Sequence, residues 1–248
     1  PVEEEVLKVG PVRSARPYYL DWLSEYGDIM YMHVGGSPDA LDKIKEFDIF
    51  DLNEFYRGWY YWRSSDRYAP HNTYTSSKLW KKAWEDYGDD IILESDSQTS
   101  AGTWKFGEIE ECDFDAWDCI DNFTVSFVKP TYVAEWKYNT STQKYERYQM
   151  GYLHKDQDGS ILEADTVIVQ YVDTEVLDAV GRLGMETIGT GKAVIFRNGY
   201  SFGATWVKEN RQSKTRWIDN EGNDMSLKPG KIWIEVLNGR GELEGVAL

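Results

Sequence analysis

The feature that most constrains this fold is the alternation of apolar and polar residues along most of the chain from Phe123 onward. Side chains of a β-strand point alternately to its two faces, so a period of two predicts strands with one buried face. Turn signals separate several segments, among them Arg197-Asn198-Gly199, Asn220-Glu221-Gly222 and Pro229-Gly230. The second half is therefore predicted to be antiparallel sheet with hairpins. The predicted strands are 123–128, 131–138, 144–150, 167–172, 193–196, 201–208, 215–218 and 232–236.

The first part mixes helical and strand patterns. Apolar residues in 14–26 and in 75–87 recur at helical spacing, and Ser37-Pro38 has the cap residue and first-turn proline that begin a third helix. Short apolar runs at 29–34 and 59–63 predict strands. We therefore predict an α+β fold, with a layered mixed sheet and helices in the first part and an antiparallel, β-rich second part.

We divide the chain into an N-terminal part, 1–122, and a C-terminal part, 123–248, and expect the two to pack as one unit. Residues 89–122 are acidic, rich in Ser, Thr and Gly, and weakly periodic, which predicts a long insertion or linker. This segment carries both cysteines, Cys112 and Cys119. Their spacing fits neither a thioredoxin-like motif nor a zinc site, and leaves a local disulfide and two free thiols as alternatives.

A glycine-containing stretch, 188–193, resembles a phosphate-binding loop without meeting its pattern. It lacks the first glycine, which is Glu186 here, and Ser or Thr after Lys192, and it falls between predicted strands. We interpret it as a hairpin turn.

The net charge limits the kinds of partner that this chain can bind. The formal net charge of −16 argues against general affinity for nucleic acid or anionic lipid, since both need a basic face. Aromatic residues make up 15% of the chain, with 11 Trp and 17 Tyr. They predict either a β-rich core with aromatic cross-strand pairs or a dedicated aromatic binding platform.

Three histidines, His33, His71 and His154, each lie in a compact polar context. Histidine titrates near neutral pH and is a common proton shuttle or metal ligand, so their convergence would form an acid–base or metal site. Isolated histidines are mostly structural, which is the alternative. No motif identifies a catalytic residue, and we predict no metal and no cofactor.

Arginines form a second group of candidates. Arg13 and Arg16 flank a predicted helix start, and Arg63 and Arg67 precede the Pro70-His71-Asn72 turn. Their planar forks can bind a carboxylate or phosphate in bidentate fashion. Alternatively, Asp66 and neighbouring carboxylates pair with them and fix the loops. The candidate ligand-binding pocket comprises Arg13, Arg16, His33, Ser37, Arg63, Asp66, Arg67, His71, Asn72 and His154.

Several of these blocks, in this order, resemble the YerB-like family of bacterial lipoprotein-type proteins, which is classified by domain and not by function. The blocks are residues 10–16, 33–38, 62–67, 69–76, 154–156 and 229–234, and the resemblance runs from about Val9 to Val236. It implies a layered α+β fold with a β-rich C-terminal part. It also implies an extracytoplasmic protein, anchored to the membrane through an N-terminal lipid in the full-length precursor.

The resemblance further implies some dozens of residues before the Gly10-Pro11-Val12-Arg13 block, including strands and the lipidation signal. We expect these residues to have been removed or to be supplied by another chain. A sheet edge left open in this way would favour pairing with a partner or a second copy.

Two functions fit these observations. The first is a binding or interaction module of the cell envelope, with a partner protein or an anionic envelope polymer as its target. The second is a hydrolase or transferase that uses a His, Arg and Asp pocket on an anionic substrate. The sequence does not decide whether the protein is an enzyme.

Overall fold

The structure, a computed structural model, describes residues 5–27, 29–90, 104–115, 119–128 and 130–246. Contacts divide these residues into two units. The first contains the described residues up to position 90 together with Arg211–Lys214, and the second contains the others. Residues 91–103 and 116–118 of the predicted insertion lie outside the described residues. Within the described ranges, no helix has the length and apolar character needed to cross a membrane.

The first unit contains three helices and four short strands. β1 pairs with β2 in parallel, and β3 pairs with β4 in antiparallel fashion. Residues 59–63 were predicted as a strand, but a 3-10 turn over Gly58–Tyr60 precedes a two-residue β3. The elements are α1 (Pro17–Leu23), β1 (Tyr31–His33), α2 (Pro38–Glu46), β2 (Asp51–Asn53), β3 (Trp62–Arg63), β4 (Thr73–Tyr74) and α3 (Ser77–Tyr87).

Helix α2 begins where the Ser-Pro pair predicts it. The Ser37 hydroxyl accepts a hydrogen bond from the Ala40 amide at 3.3 Å, and Pro38 occupies the first turn, where its missing N–H costs nothing. The buried side of α2, Ala40 and Ile44, packs with Leu20 of α1. Sequence-local signals therefore determine where this helix lies.

The second unit is built from two main sheets. The first sheet has the strand order β17-β5-β6-β7-β8, with β9 also paired to β7, and the second has the order β15-β14-β13-β10-β16. All neighbours are antiparallel except β10 and β16, and β11 and β12 form a separate hairpin. The strands are β5 (Asn122–Ser126), β6 (Val133–Asn139), β7 (Lys144–Gln149), β8 (Tyr152–Leu153), β9 (Glu163–Ala164), β10 (Thr166–Val172), β11 (Thr174–Val176), β12 (Leu183–Met185), β13 (Gly189–Arg197), β14 (Tyr200–Lys208), β15 (Arg216–Ile218), β16 (Ile232–Asn238) and β17 (Glu242–Glu244).

The two main sheets pack face to face around aromatic residues. Phe123 of one sheet stacks on Phe196 of the other, with ring centroids 3.5 Å apart, and Trp136 meets Trp233 edge to face. The opposite face of the five-stranded sheet is also covered, around Ile168. Because it is buried on both faces, the interior strand β10 is mostly apolar. The predicted α+β fold with a β-rich C-terminal part is confirmed.

Two local predictions have opposite outcomes. Asn198 and Gly199 have φ values of 48° and 81° and connect β13 to β14 in a tight hairpin, as their sequence indicates. The stretch 188–193 is not a hairpin turn, because β13 already begins at Gly189. Cys112 and Cys119 form a disulfide, which decides between the two alternatives.

Candidate functional site

Arg13 is held by the backbone on both sides of it. The Val12 amide donates to the Thr73 carbonyl at 2.7 Å, and the Arg13 carbonyl accepts from the Val34 amide at 3.0 Å. Gly10 begins this segment with φ of +148°, and a Cβ there would lie 2.7 Å from the Thr73 carbonyl oxygen. Only glycine fits this position without strain. The segment thus fixes the Arg13 backbone and leaves its side chain exposed.

The side-chain partner of Arg13 is an imidazole. Its Nη1 lies 2.8 Å from Nδ1 and 3.3 Å from Nε2 of His71. A guanidinium can only donate, so the His71 nitrogen that accepts carries a lone pair. Among the described residues no carboxylate pairs with Arg13. The guanidinium is therefore oriented by an imidazole, and no carboxylate of the described residues offsets its charge at the surface.

Arg63 is neutralised, in contrast to Arg13. Its Nε and Nη2 donate to the two carboxylate oxygens of Glu54, both at 3.0 Å, and its Nη1 donates to Asn72 Oδ1 at 3.1 Å. The loop-fixing alternative thus describes Arg63, with Glu54 as the carboxylate. Asp66 instead accepts from the Ser64 hydroxyl, which is the largest influence lowering its pKa, and the charges of Lys8 and Arg67 add smaller contributions.

His33 and Ser37 have structural partners. His33 is fully buried, with Nδ1 2.7 Å from the Gly35 carbonyl oxygen and Nε2 2.8 Å from Asp51 Oδ2. Both ring nitrogens are thereby engaged inside the unit. The Ser37 hydroxyl caps α2. These two residues hold the 33–37 loop against β2, and neither presents a free polar group to a ligand.

Arg16 bonds to the backbone beside it and acts electrostatically on nearby tyrosines. Its Nη1 donates to the Ala15 carbonyl at 2.7 Å. Burial raises the pKa of Tyr31, and the nearby tyrosine Tyr19 adds to this, while the positive charge of Arg16 acts in the opposite direction. Arg16 therefore lies near a group of tyrosines.

His154 belongs to the second unit. Its Nδ1 accepts from Arg147 Nη1 at 2.7 Å, and burial followed by the charge of Arg147 lowers its pKa. Arg147 is itself nearly buried between the Trp136 and Trp233 rings and pairs with Glu235 at 3.3 Å. Membership of His154 in a common pocket with the first-unit residues stays a prediction.

The structure brings four of the predicted residues together and adds three that sequence reasoning missed. Hydrogen bonds link Arg13 to His71, Arg63 to Asn72, and Arg63 to Glu54. Two exposed rings flank this series: Tyr68, whose carbonyl accepts from the His71 amide, and Phe55, whose ring covers Gly35. The only sequence signal for them is the closeness of Tyr68 to His71 and of Phe55 to strand β2. We name this set the Arg13 surface, comprising Arg13, Glu54, Phe55, Arg63, Tyr68, His71 and Asn72.

No group of three or more His, Cys, Asp or Glu side chains among the described residues is arranged to hold a metal ion. The chemistry that the Arg13 surface offers is recognition of an anionic group by the exposed Arg13 guanidinium, and the same set of residues includes two exposed rings.

Comparison with known proteins identifies the family. Residues 3–89 match the N-terminal domain, and residues 123–234 the C-terminal domain, of the family described as "Protein of unknown function (DUF3048)". The chain belongs to this family.

One curated relative and one solved structure agree with this assignment. The chain is 26% identical over 239 residues to "Putative lipoprotein YerB" of Bacillus subtilis (strain 168), a match covering 92% of this chain and 66% of that protein, just under two thirds of its length. The crystal structure of YerB protein from Bacillus subtilis has a TM-score of 0.78 and 22% identity, covering 96% of this chain and 77% of that one. The structural match shows a shared fold.

Proposed function

We propose that this chain is an extracytoplasmic interaction module that binds a partner protein of the cell envelope through the Arg13 surface. One observation carries the proposal. In a chain of net charge −16, Arg13 presents an exposed guanidinium that contacts the His71 imidazole and that pairs with no carboxylate of the described residues. A carboxylate of the partner would complete a charge-assisted, bidentate pair there.

The surroundings of Arg13 favour a protein partner. Phe55 is 66% exposed and Tyr68 is 93% exposed, so the Arg13 surface includes two large rings that face solvent. Aromatic residues and arginine are the residues enriched at energetically important positions of protein interfaces. A long polyanion would be repelled by the whole acidic chain more strongly than a single acidic side chain on a partner would be. An anionic envelope polymer is therefore the second choice.

The hydrolase or transferase alternative receives less support from this geometry. General acid–base catalysis needs a titratable group within reach of a substrate. His33 is enclosed with both nitrogens engaged, and His71 uses a nitrogen to hold Arg13. The exposed side chains of the surface are suited to contact and charge pairing.

The family membership also supports our proposal for the location of the protein. A relative named as a lipoprotein supports anchoring of the full-length protein to the membrane on its outer side. Membrane association through an N-terminal lipid and pairing at an open sheet edge both stay predictions.

The test uses the purified chain immobilised on resin, with wild type, Arg13→Ala and Lys81→Ala compared side by side. Lys81 is an exposed lysine of α3 outside the Arg13 surface, so its variant removes the same charge elsewhere. Membrane and wall-protein extracts of the source cells form one arm, and purified anionic wall polymer forms the other. We expect wild type and Lys81→Ala to retain the same envelope protein, and Arg13→Ala to bind it at least about 30-fold more weakly.

Equal retention of that protein by Arg13→Ala, with circular dichroism showing an intact fold, would contradict the proposal. Retention of the polymer alone, lost in Arg13→Ala, would replace the partner protein by the polymer as the target.

A further inference from the structure

Strand β16 forms one edge of the five-stranded sheet in the second unit, because β10 is its sole strand partner among the described residues. The phase of this parallel ladder is set where it begins, since the Thr166 amide donates to the Lys231 carbonyl at 3.2 Å. In a parallel ladder every second residue of a strand turns its N–H and C=O toward the neighbouring strand. The residues of β16 that bond to β10, here called the inward residues, are therefore Trp233, Glu235 and Leu237.

The residues between them, Ile232, Ile234 and Val236, turn their backbone groups away from β10, and we call them the outward residues. They present three N–H and three C=O groups, and none of these six bonds to a group in the part of the chain that the structure describes. Ile234, in the middle of the three, is 36% exposed. Only another extended polypeptide offers donors and acceptors at the spacing of this row.

Strand β16 lacks the features that protect the other edge strands of the two main sheets. β8, β15 and β17 have only two or three residues each, and β17 reads Glu-Leu-Glu. β16 has seven residues and no proline. Its one charged side chain, Glu235, is turned inward and pairs with the nearly buried Arg147 at 3.3 Å. A long apolar edge without such protection is a template for the addition of a strand.

Two cations bracket β16 in the sequence, Lys231 before it and Arg240 in the turn after it. Both residues are exposed, and neither forms an ion pair with a carboxylate of the described residues. A second copy paired antiparallel about the middle of β16 would bring Lys231 of one strand toward Arg240 of the other, and opposed like charges are destabilising. Acidic residues at the two ends of an incoming segment would instead pair with both cations. The charges therefore favour an acidic-flanked segment over a second copy.

We propose that the free edge of β16 binds an extended segment of a partner protein by strand addition, and that this segment carries acidic residues at both ends. The outward residues span about 13 Å, which an extended segment of about five residues matches. Backbone hydrogen bonds hold the segment, and the two cations select its sequence. The proposal does not depend on binding at the Arg13 surface, because all residues of that surface belong to the first unit and β16 belongs to the second.

The first measurement is amide hydrogen exchange of the free chain, followed by NMR. We expect the amides of the outward residues to exchange at least about tenfold faster than those of the inward residues, which bond to β10. The probe is a fluorescein-labelled peptide with Val-Thr-Val-Thr-Val between two glutamates at each end, and its control has lysines in place of the glutamates. At 0.15 M salt, where the Debye length is about 8 Å, the acidic probe should bind saturably and slow the exchange of the outward amides. The lysine probe should bind at least about fivefold more weakly.

Three variants locate the effect. Ile234→Pro removes an outward N–H that the sheet does not use, so the fold should tolerate it while the acidic probe binds at least about tenfold more weakly. The double variant Lys231→Gln, Arg240→Gln should lose the preference for the acidic probe. Lys78→Gln, Lys81→Gln removes the same two charges from exposed positions of α3 and should keep the wild-type preference.

Outward amides that exchange as slowly as the inward ones in the free, monomeric chain would overturn the proposal, because the edge would already be covered. Absence of saturable binding of the acidic probe, or unchanged binding to folded Ile234→Pro, would overturn it as well. Protection that rises with protein concentration, together with a dimer in sedimentation, would replace the partner segment by a second copy. The exchange measurements use wild type, so they stand even if Ile234→Pro does not fold.

Discussion

Arg13 and Arg63 are alike in the sequence but differ in the groups that surround them. Each lies in a polar loop of an acidic chain, and each has a histidine or asparagine of the 71–72 turn beside it. Glu54 neutralises Arg63 through two parallel hydrogen bonds, whereas His71 orients Arg13 without cancelling its charge. The counter-ion, and not the residue type, decides which arginine is available for an external anion.

His154 provides a prediction about pH. Its pKa lies below the ordinary value of 6.5, because burial and then the charge of Arg147 disfavour the imidazolium, while Asp156 acts in the opposite direction. The unfolded chain therefore binds more protons than the folded chain between the folded pKa and about 6.5. Stability from neutral His154 is complete above that window and is lost as the pH falls through it.

We therefore expect the free energy of unfolding, measured by urea titration, to decrease from pH 7.5 to pH 5.5, and to decrease less in His154→Gln. Glutamine cannot gain a proton, so its side chain adds no pH dependence in this range. The difference between the two proteins should be constant above pH 7.5. Parallel curves for both proteins down to pH 5.5 would show that His154 is not linked to folding.

At the scale of elements, the two long helices of the first unit begin with serines that have different roles. Ser37 caps α2 through its hydroxyl, whereas Ser76 at the start of α3 makes no side-chain capping bond. We expect Ser37→Ala to lower the free energy of unfolding by about 1 kcal/mol and Ser76→Ala to lower it by clearly less. Thermal melts of the two variants check this, and equal losses would contradict the capping role.

Strand β13 contains a glycine whose place is explained by its neighbour on β14. Gly191 pairs with Trp206, and a Cβ at Gly191 would lie 2.5 Å from the indole nitrogen. That nitrogen donates to the Tyr171 carbonyl at 2.7 Å, which keeps the ring in place. We expect Gly191→Val to cost about 2 kcal/mol of unfolding free energy.

Gly203→Ala is a control on β14, because nothing lies within 4 Å of its added Cβ. It should change the stability by less than about 0.5 kcal/mol. The two changes are compared by urea unfolding. A tolerated Gly191→Val would mean that the indole does not cover the strand there.

The structure of β13 and β14 could be predicted from the sequence in part. The period of two and the Asn198-Gly199 turn correctly predict the hairpin of β13 and β14, because both signals are local. The beginning of β13 was misjudged because two glycines resemble a turn, and the reason for Gly191 is a tryptophan 15 positions further on (206 − 191). The residue type at position 191 thus depends on a side chain of the neighbouring strand, which the local sequence pattern does not show.

At the scale of the whole molecule, the parts that could not be predicted are long-range pairings. Arg13 and His71 were both candidate site residues, but the contact between them joins positions 58 apart. Arg63 pairs with Glu54, whereas Asp66 was the expected partner. The parallel pairing of β10 with β16 likewise joins Thr166 to Ile232. The residue types indicate which side chains can form hydrogen bonds and ion pairs. Which partner each side chain has depends on the packing of the chain, which local structural propensities do not determine.

The disulfide supports the second unit at one of its hairpins. The Cys112 amide donates to the Asn198 carbonyl and the Ile120 amide donates to the Gly199 carbonyl, both at 2.8 Å. The segments on both sides of the disulfide therefore contact the β13–β14 turn. In the loop-entropy account, linking two cysteines seven positions apart lowers the conformational entropy of the unfolded chain. This raises the free energy of unfolding by about 2–3 kcal/mol.

Reduction should accordingly lower the urea midpoint of the chain by an amount equivalent to about 2 kcal/mol, and the double variant Cys112→Ser, Cys119→Ser should reproduce this shift. The same reductant must leave the double variant unchanged, because it has no disulfide to break. Thiol titration of the reduced wild type counts two reactive groups when reduction is complete. If two thiols are titrated and the midpoint stays at its oxidised value, the crosslink does not contribute to the stability of this fold.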